Sequence, residues 1–231
     1  MKLRLLFNTV RHLKPIQVRY RLKYFFKNRF DKKSSLETAG KVSSDRLPNL
    51  KFQQSIYNIK SYSSEGTFTF LNLSHSFPNE IDWNLPDYGR LWTYNLNYFE
   101  YVNQKDISVE EGLMLIDAYI KSIDNNKTGL EPYPISLRVM NWIRFFITRH
   151  IDDERYNGYV WAQLQLLRKL KEYHLMGNHL LENGFAFLFG AYYLNDSTLY
   201  KEAKNILLSE LKEQILKDGA HFELSPMYHS L

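Results

Sequence analysis

From Ser108 to Leu216 apolar residues recur three and four positions apart in one segment after another, with short polar or glycine-containing breaks between. That is the period of an α-helix with one buried face, and it confines the chain to packed helices rather than sheets. Ser108 with Glu111 three residues on is a capping-box start, followed by a stripe of Val109, Leu113, Ile116 and Ile120. Asn125-Asn126 and Gly129 stop it. Pro134 and Ser136 open a second helix with Val139, Trp142 and Phe146 inward; a third is expected over 160–173. A fourth, over 178–194, carries Leu181, Phe185, Leu188 and Tyr192 on one side. Asp196 caps a fifth, which reaches Leu216 with Leu208, Leu211 and Ile215 inward before Asp218-Gly219 breaks it. Short connections make successive helices antiparallel hairpins. An open solenoid and a closed α/α toroid both fit, and no repeat of tetratricopeptide or ankyrin length stands out.

The first half differs. Residues 1–50 carry thirteen Lys/Arg against three Asp/Glu, a balance of +10, while the remaining seventeen Lys/Arg against twenty-two Asp/Glu give −5. Basicity therefore resides in an N-terminal arm, residues 1–33, with Arg4, Arg11, Arg19, Arg21, Lys23, Lys27 and Arg29. Such an arm suits an anionic polymer or makes a weak membrane-surface contact. It can equally be a solvated helix packed on the body through Leu6, Val10, Leu13 and Leu22. Residues 34–50 read as a linker, and 51–231 as one domain. Thr67-Phe68-Thr69-Phe70-Leu71 alternates like a hairpin, and residues 76–90 form an aromatic loop with two prolines. No early apolar run is long enough for a secretory signal and none reaches membrane-span length, so the default expectation is cytoplasmic. The absence of cysteine excludes disulfides and Cys-ligated zinc. His174, His179, His221 and His229 lack any tight metal-ligand spacing, so no metal is expected here. Nucleic-acid motifs are absent as well.

Two segments carry chemistry. In Gly177-Asn178-His179-Leu180-Leu181-Glu182-Asn183, residues Asn178, His179 and Glu182 share one side of a helix start. His179 there meets the positive end of the helix dipole, which favours a neutral, proton-accepting ring, and Glu182 can orient it. In His221-Phe222-Glu223-Leu224-Ser225-Pro226-Met227-Tyr228-His229, a tyrosine follows a Ser-Pro turn, a plausible proton donor. Taken singly, each segment is also consistent with an ordinary surface helix cap and a packed loop tyrosine.

Together with Leu91-Trp92-Thr93-Tyr94-Asn95-Leu96-Asn97-Tyr98-Phe99 and the stretch Pro132-Tyr133-Pro134-Ile135-Ser136-Leu137-Arg138-Val139-Met140-Asn141-Trp142, these motifs resemble the N-terminal helical domain of heparinase II/III-like and oligoalginate polysaccharide lyases. The resemblance covers residues 85–231. It implies a mainly α fold, an (α/α) toroid of helical hairpins, and β-elimination on a uronic-acid polysaccharide or oligosaccharide. In that chemistry Asn178 neutralises the uronate carboxylate. His179 acts as base or co-stabiliser, Tyr228 as base or acid, and Glu182 tunes the site. Arg138, Tyr94, Asn97, Trp142, Tyr133 and His229 become candidates for holding sugar carboxylates and faces; for the aromatic ones the toroid core is the competing role. Family members continue into a C-terminal β-sandwich, in some with a zinc site. That domain is absent from this chain, so the expectation is an incomplete toroid without its own cofactor, weakly active alone and completed by a β-rich domain or partner chain. The competing function is a non-catalytic carbohydrate-binding helical domain with the same aromatic cleft.

Overall fold

A computed structural model describes residues 11–30, 50–52, 58–63 and 66–225 of the chain. The residues expected to form the linker up to 49, the apolar Leu6 and Val10, and the site candidates Tyr228 and His229 lie outside the described residues. The fold is mainly α. Helix α1 (Pro15–Phe30) precedes a small antiparallel sheet of β1 (Tyr62–Ser63), β2 (Thr67–Phe70) and β3 (Leu73–Ser76), in the order β1-β2-β3. Six helices follow: α2 (Arg90–Tyr98), α3 (Val109–Ser122), α4 (Pro132–Thr148), α5 (Glu154–Leu170), α6 (Gly177–Leu194) and α7 (Ser197–Gln214). Among the described residues no helix is long and apolar enough to cross a membrane.

The expected hairpin forms as β2–β3. Phe68 and Phe70 turn inward against Tyr101 and Trp92, with ring centroids 5.1 and 5.2 Å apart. The alternate Thr67 and Thr69 turn outward, their hydroxyls 2.6 and 2.8 Å from Ser76 and Ser74. Helix α3 starts with the capping box read from the sequence, Ser108 and Glu111 exchanging both bonds. Helix α4 is the hub: Ile135, Val139, Trp142, Ile143 and Phe146 are fully buried, and α2, α5 and α6 all pack on it.

The α6–α7 pair is an antiparallel hairpin in which Gly184 faces Ile206 and Leu207. Here two expected faces shift. Leu181, Phe185, Leu188 and Tyr192 are only half-buried; the packed side of α6 is Leu180, Asn183, Gly184, Ala186, Phe187, Gly190 and Ala191. The cause is close approach. A Cβ on Gly184 would come within 2.9 Å of Leu207, and one on Gly190 within 2.3 Å of Leu164, so the small residues mark the contacts. On α7, Leu208, Leu211 and Ile215 are exposed, and the inward face is Leu199, Ala203, Ile206, Leu207, Glu210 and Gln214. Polar Glu210 and Gln214 point inward because they serve hydrogen bonds described below. Leu207→Ala should therefore cost about 2–5 kcal/mol, whereas Leu208→Ala should stay within about 0.5 kcal/mol. Paired denaturant titrations measure the difference directly.

Helix α1 lies on the body, but not through Leu22, which is 54% exposed. Its contacts are Gln17, Tyr20 and Tyr24. The Gln17 amide donates to the Leu175 carbonyl (3.3 Å), the Tyr24 hydroxyl to the Lys171 carbonyl (2.6 Å), and the Tyr20 ring lies 4.7 Å from that of Tyr173. Lys14 pairs with Glu213. All but that last contact fall on one segment, residues 171–176, which leads into α6.

Candidate active site

The strap 171–176 is anchored from several sides. Lys171 and Arg168 share Glu202 of α7, the latter at 2.7 Å, while α1 holds the carbonyls of Lys171 and Leu175. The strap then turns sharply. Met176 takes φ 62°, ψ −155°, a region disfavoured for a residue with a side chain, and Gly177 follows at φ 60°. These two residues turn the chain so that the first turn of α6 folds back over the strap, bringing His179 to Glu172. The Glu210 carboxylate of α7 is stabilised by the Gly177 backbone N–H and by the Gln214 amide at 3.1 Å, although burial is the larger influence and raises its pKa. A buried carboxylate thus serves the positive end of α6.

Within that turn His179 Nδ1 lies 3.1 Å from Glu172 Oε1. Glu172 is buried, and its other oxygen accepts from Asn183 Nδ2 at 3.1 Å. Asn183 also donates to the Ser136 hydroxyl of α4 (3.0 Å) and accepts from the Glu172 backbone N–H (2.9 Å). A carboxylate can only accept, so Nδ1 is the donor, and the tautomer this contact selects is the one whose Nε2 accepts. Glu172, Asn183 and Ser136 therefore fix the ring, and its side chain stays 38% exposed.

Beside His179 runs a line of tyrosines. Tyr133 lies 4.8 Å from the His179 ring, Tyr98 6.0 Å from Tyr133, and Tyr94 6.2 Å from Tyr98. The Tyr94 hydroxyl donates to Glu131 at 2.5 Å, and Arg90, paired with the same Glu131, sits 5.3 Å over the Tyr94 ring. Burial, then the hydrogen bond to Glu131, push the Tyr94 phenol up to about 12. Aromatic rings, a guanidinium held by Glu131 and an oriented imidazole thus follow one another from Arg90 to His179.

Residues 86–231, well over half the chain, match the family model described as Heparinase II/III N-terminus. The chain belongs to the heparinase II/III N-terminal family. That membership relates it to polysaccharide lyases. No curated protein and no solved structure matches it.

Within this heparinase II/III N-terminal domain the expected site residues separate into two groups. Asn178, His179 and Glu182 share the start of α6, with Tyr133 and Tyr94 on the aromatic line; Asn178 is half-buried, and its side chain has no hydrogen-bond partner among the described residues. Asn97, Arg138 and Trp142 are instead scaffold, each with no exposed surface. Asn97 Nδ2 donates to the Trp83 and Thr93 carbonyls, both at 2.8 Å, and its Oδ1 accepts from Asn126 at 2.9 Å. The Arg138 guanidinium lies 4.4 Å over Tyr119 and donates to Gln163 (2.7 Å) and the Asn97 carbonyl (3.1 Å). Trp142 fills the space between Phe99 and Tyr119. Their helices turn these side chains into the α2–α3–α4 core, out of reach of a sugar.

Glu182 is not the residue that holds the imidazole; Glu172 is. Burial raises the Glu182 pKa, and attraction to His179 opposes this. A carboxyl whose folded pKa is raised binds its proton more tightly in the native state, so it costs stability once pH exceeds the ordinary glutamate value. Glu182→Gln should accordingly raise the melting temperature at pH 7–8, with the gain vanishing below about pH 4. Thermal melts across that range provide the check.

His221 is structural. Its Nδ1 accepts from the Glu223 backbone N–H (3.3 Å), which makes Nε2 the donor to Gln214 Oε1 (3.2 Å). Through Gln214 and Glu210 the final segment is thereby linked to Gly177. Among the described residues no group of three or more His, Asp or Glu is arranged to hold a metal. A cavity of about 400 Å³ lined by Asn58, Phe70, Asn95 and Glu100 contains none of the expected site residues.

The sequence reading missed Glu172, Asn183, Tyr98 and Arg90. The Glu172–His179 separation of seven residues crosses a non-helical turn, so no helical spacing marks it. Tyr98 and Arg90 stand in or beside a quoted motif, and only their shared line with Tyr94 and Tyr133 singles them out.

Proposed function

We propose that this domain contributes the carboxylate-neutralising and proton-abstracting half of a polysaccharide lyase site that cleaves uronic-acid polymers by β-elimination, built in an (α/α) toroid cleft. The observation that carries the reading is the His179–Glu172–Asn183 arrangement at the strained start of α6, beside the Asn178 amide, which has no hydrogen-bond partner among the described residues, and a wall of tyrosines. The C5 proton of a uronate is weakly acidic because its removal places a second negative charge next to the carboxylate. Asn178 donates to that carboxylate and stabilises the developing enolate. His179 Nε2 then accepts the proton while Glu172 steadies the imidazolium that forms. The departing O4 requires a proton, for which Tyr228 is the candidate in this chain. The described end of the chain is tied to that helix start, from His221 through Gln214 and Glu210 to Gly177. Tyr133 and Tyr94 stack on sugar faces, with the buried Tyr98 packed between them, and Arg90 meets a carboxylate farther along the polymer.

The test is the ultraviolet absorbance of the unsaturated uronyl product on heparan sulfate, hyaluronan and alginate, assayed with this chain and with any longer protein that contains it. Asn178→Ala is expected to reduce the rate by about 10²–10³-fold with polymer affinity largely kept. Polymer binding without product from any form assigns the domain to the carbohydrate-binding class instead.

A further inference from the structure

Helix α1 and the strap meet around a histidine. Gln17 and Tyr24 hold the Leu175 and Lys171 carbonyls, and the Tyr20 ring packs on Tyr173. Between the two gripped carbonyls comes His174, whose ring meets that of Tyr24 edge-on at 5.0 Å. Its Nδ1 is buried and has no hydrogen-bond partner among the described residues. A neutral imidazole tolerates that position, because Nδ1 is then the atom without a proton. An imidazolium does not, since its second N–H would be buried with no acceptor. The charged and titratable groups acting on the ring are Arg21 of α1, Glu172 of the strap and His179 of α6, with Tyr24 packed against it. Glu172 is already committed, its two oxygens accepting from His179 and Asn183. Burial is the largest influence and lowers the His174 pKa; Glu172 opposes it, while Arg21 and His179 lower it further.

We propose that His174 is a pH-sensitive latch, whose protonation in mild acid releases α1 from the strap that carries Glu172. Once α1 lifts away, the ring meets water and titrates near the ordinary histidine value of about 6.5. The docked ring binds a proton less readily than that. Docking is therefore strongest above this value and weakens as pH falls below it, down to the lower value of the docked ring. Because the same strap sets Glu172 against His179, mild acid loosens the support of the site histidine too. The latch rests on the contacts between α1 and the strap, not on the proposed elimination chemistry.

Hydrogen–deuterium exchange of the full chain at about pH 7.5 and about pH 5, corrected for the intrinsic pH dependence of amide exchange, tests it. Peptides covering residues 15–30 and 171–176 should lose protection by about threefold or more in acid, while those from α3 and α4 keep theirs. His174→Gln, which takes up no proton, should hold the same protection at both pH values. His174→Phe, which keeps a ring against Tyr24, should do the same. Arg21→Gln removes a like charge and should reduce the acid loss, whereas His179→Gln should leave it intact. The latch is overturned if α1 and the strap keep their protection in acid, or if both His174 variants lose it as the parent does. It also fails if α3 and α4 open alongside them, which marks general acid unfolding. A response abolished by His179→Gln would assign the titration to the site histidine and reject His174.

Discussion

Asn97→Ala is expected to lower folding stability by about 3–5 kcal/mol, moving the melting temperature down by roughly 10 °C or more. Asn97 joins the loop before α2 to the turn after α3, accepting from Asn126 while donating to the Trp83 and Thr93 carbonyls. Asn126 in turn accepts from the Gly129 backbone N–H at 2.7 Å. Removing the amide leaves a buried carbonyl and a buried amide donor without partners, at about 1–3 kcal/mol each, and opens a small void. The knot has no spare room. A Cβ on Gly129 would stand 2.1 Å from Asn97 Oδ1 and 2.6 Å from Asn126 Nδ2, so Gly129→Ala should damage the same joint. Asn95→Ala, whose side chain only returns to the Leu91 carbonyl of its own helix, should change stability by less than about 0.5 kcal/mol. Equilibrium unfolding of the three variants separates a tertiary joint from a helix-surface asparagine.

His179→Ala is expected to reduce elimination by about 10²–10⁴-fold, the range of a lost general base, with little change in polymer affinity. Glu172→Gln should retain the fold, because Gln can still meet Asn183, yet lose about 10–100-fold through a poorly oriented ring, the size typical of an outer-shell partner of a working histidine. The double variant should be no worse than His179→Ala alone, since Glu172 acts through the ring it holds. Additive losses would show that Glu172 acts independently. An activity unchanged in His179→Ala would remove the imidazole from the reaction altogether.

Much of this architecture was legible in local sequence. The capping box at Ser108, the alternation of Thr67 to Phe70 and the 3.6-residue stripe through Val139, Trp142 and Phe146 each reflect constraints that act within one element, and each element forms as expected. The motif at 177–183 likewise located the candidate site, because Asn178, His179 and Glu182 lie within one helical turn. Arg138, Asn97 and Trp142 misled because their residue types suit sugar binding equally well, and side-chain chemistry does not disclose which way a helix faces. On α7, Leu208, Leu211 and Ile215 have the apolar spacing of a core stripe, but the inward direction follows Leu207 against Gly184 and Glu210 toward Gly177.

Local sequence by itself determined that the chain is mainly helical, that Ser108 and Asp196 cap the starts of α3 and α7, and that an Asn-His pair opens α6. These properties depend on caps, breakers and period, whose interactions span a turn or less. Tertiary structure alone decided that Glu172 rather than Glu182 holds His179, that Tyr94, Tyr98 and Tyr133 line up beside it, and that the buried arginine serves the core. Those outcomes depend on helix rotation and close approach, which are set by how small residues such as Gly184 and Gly190 let neighbouring helices meet, a balance summed over the whole packed molecule.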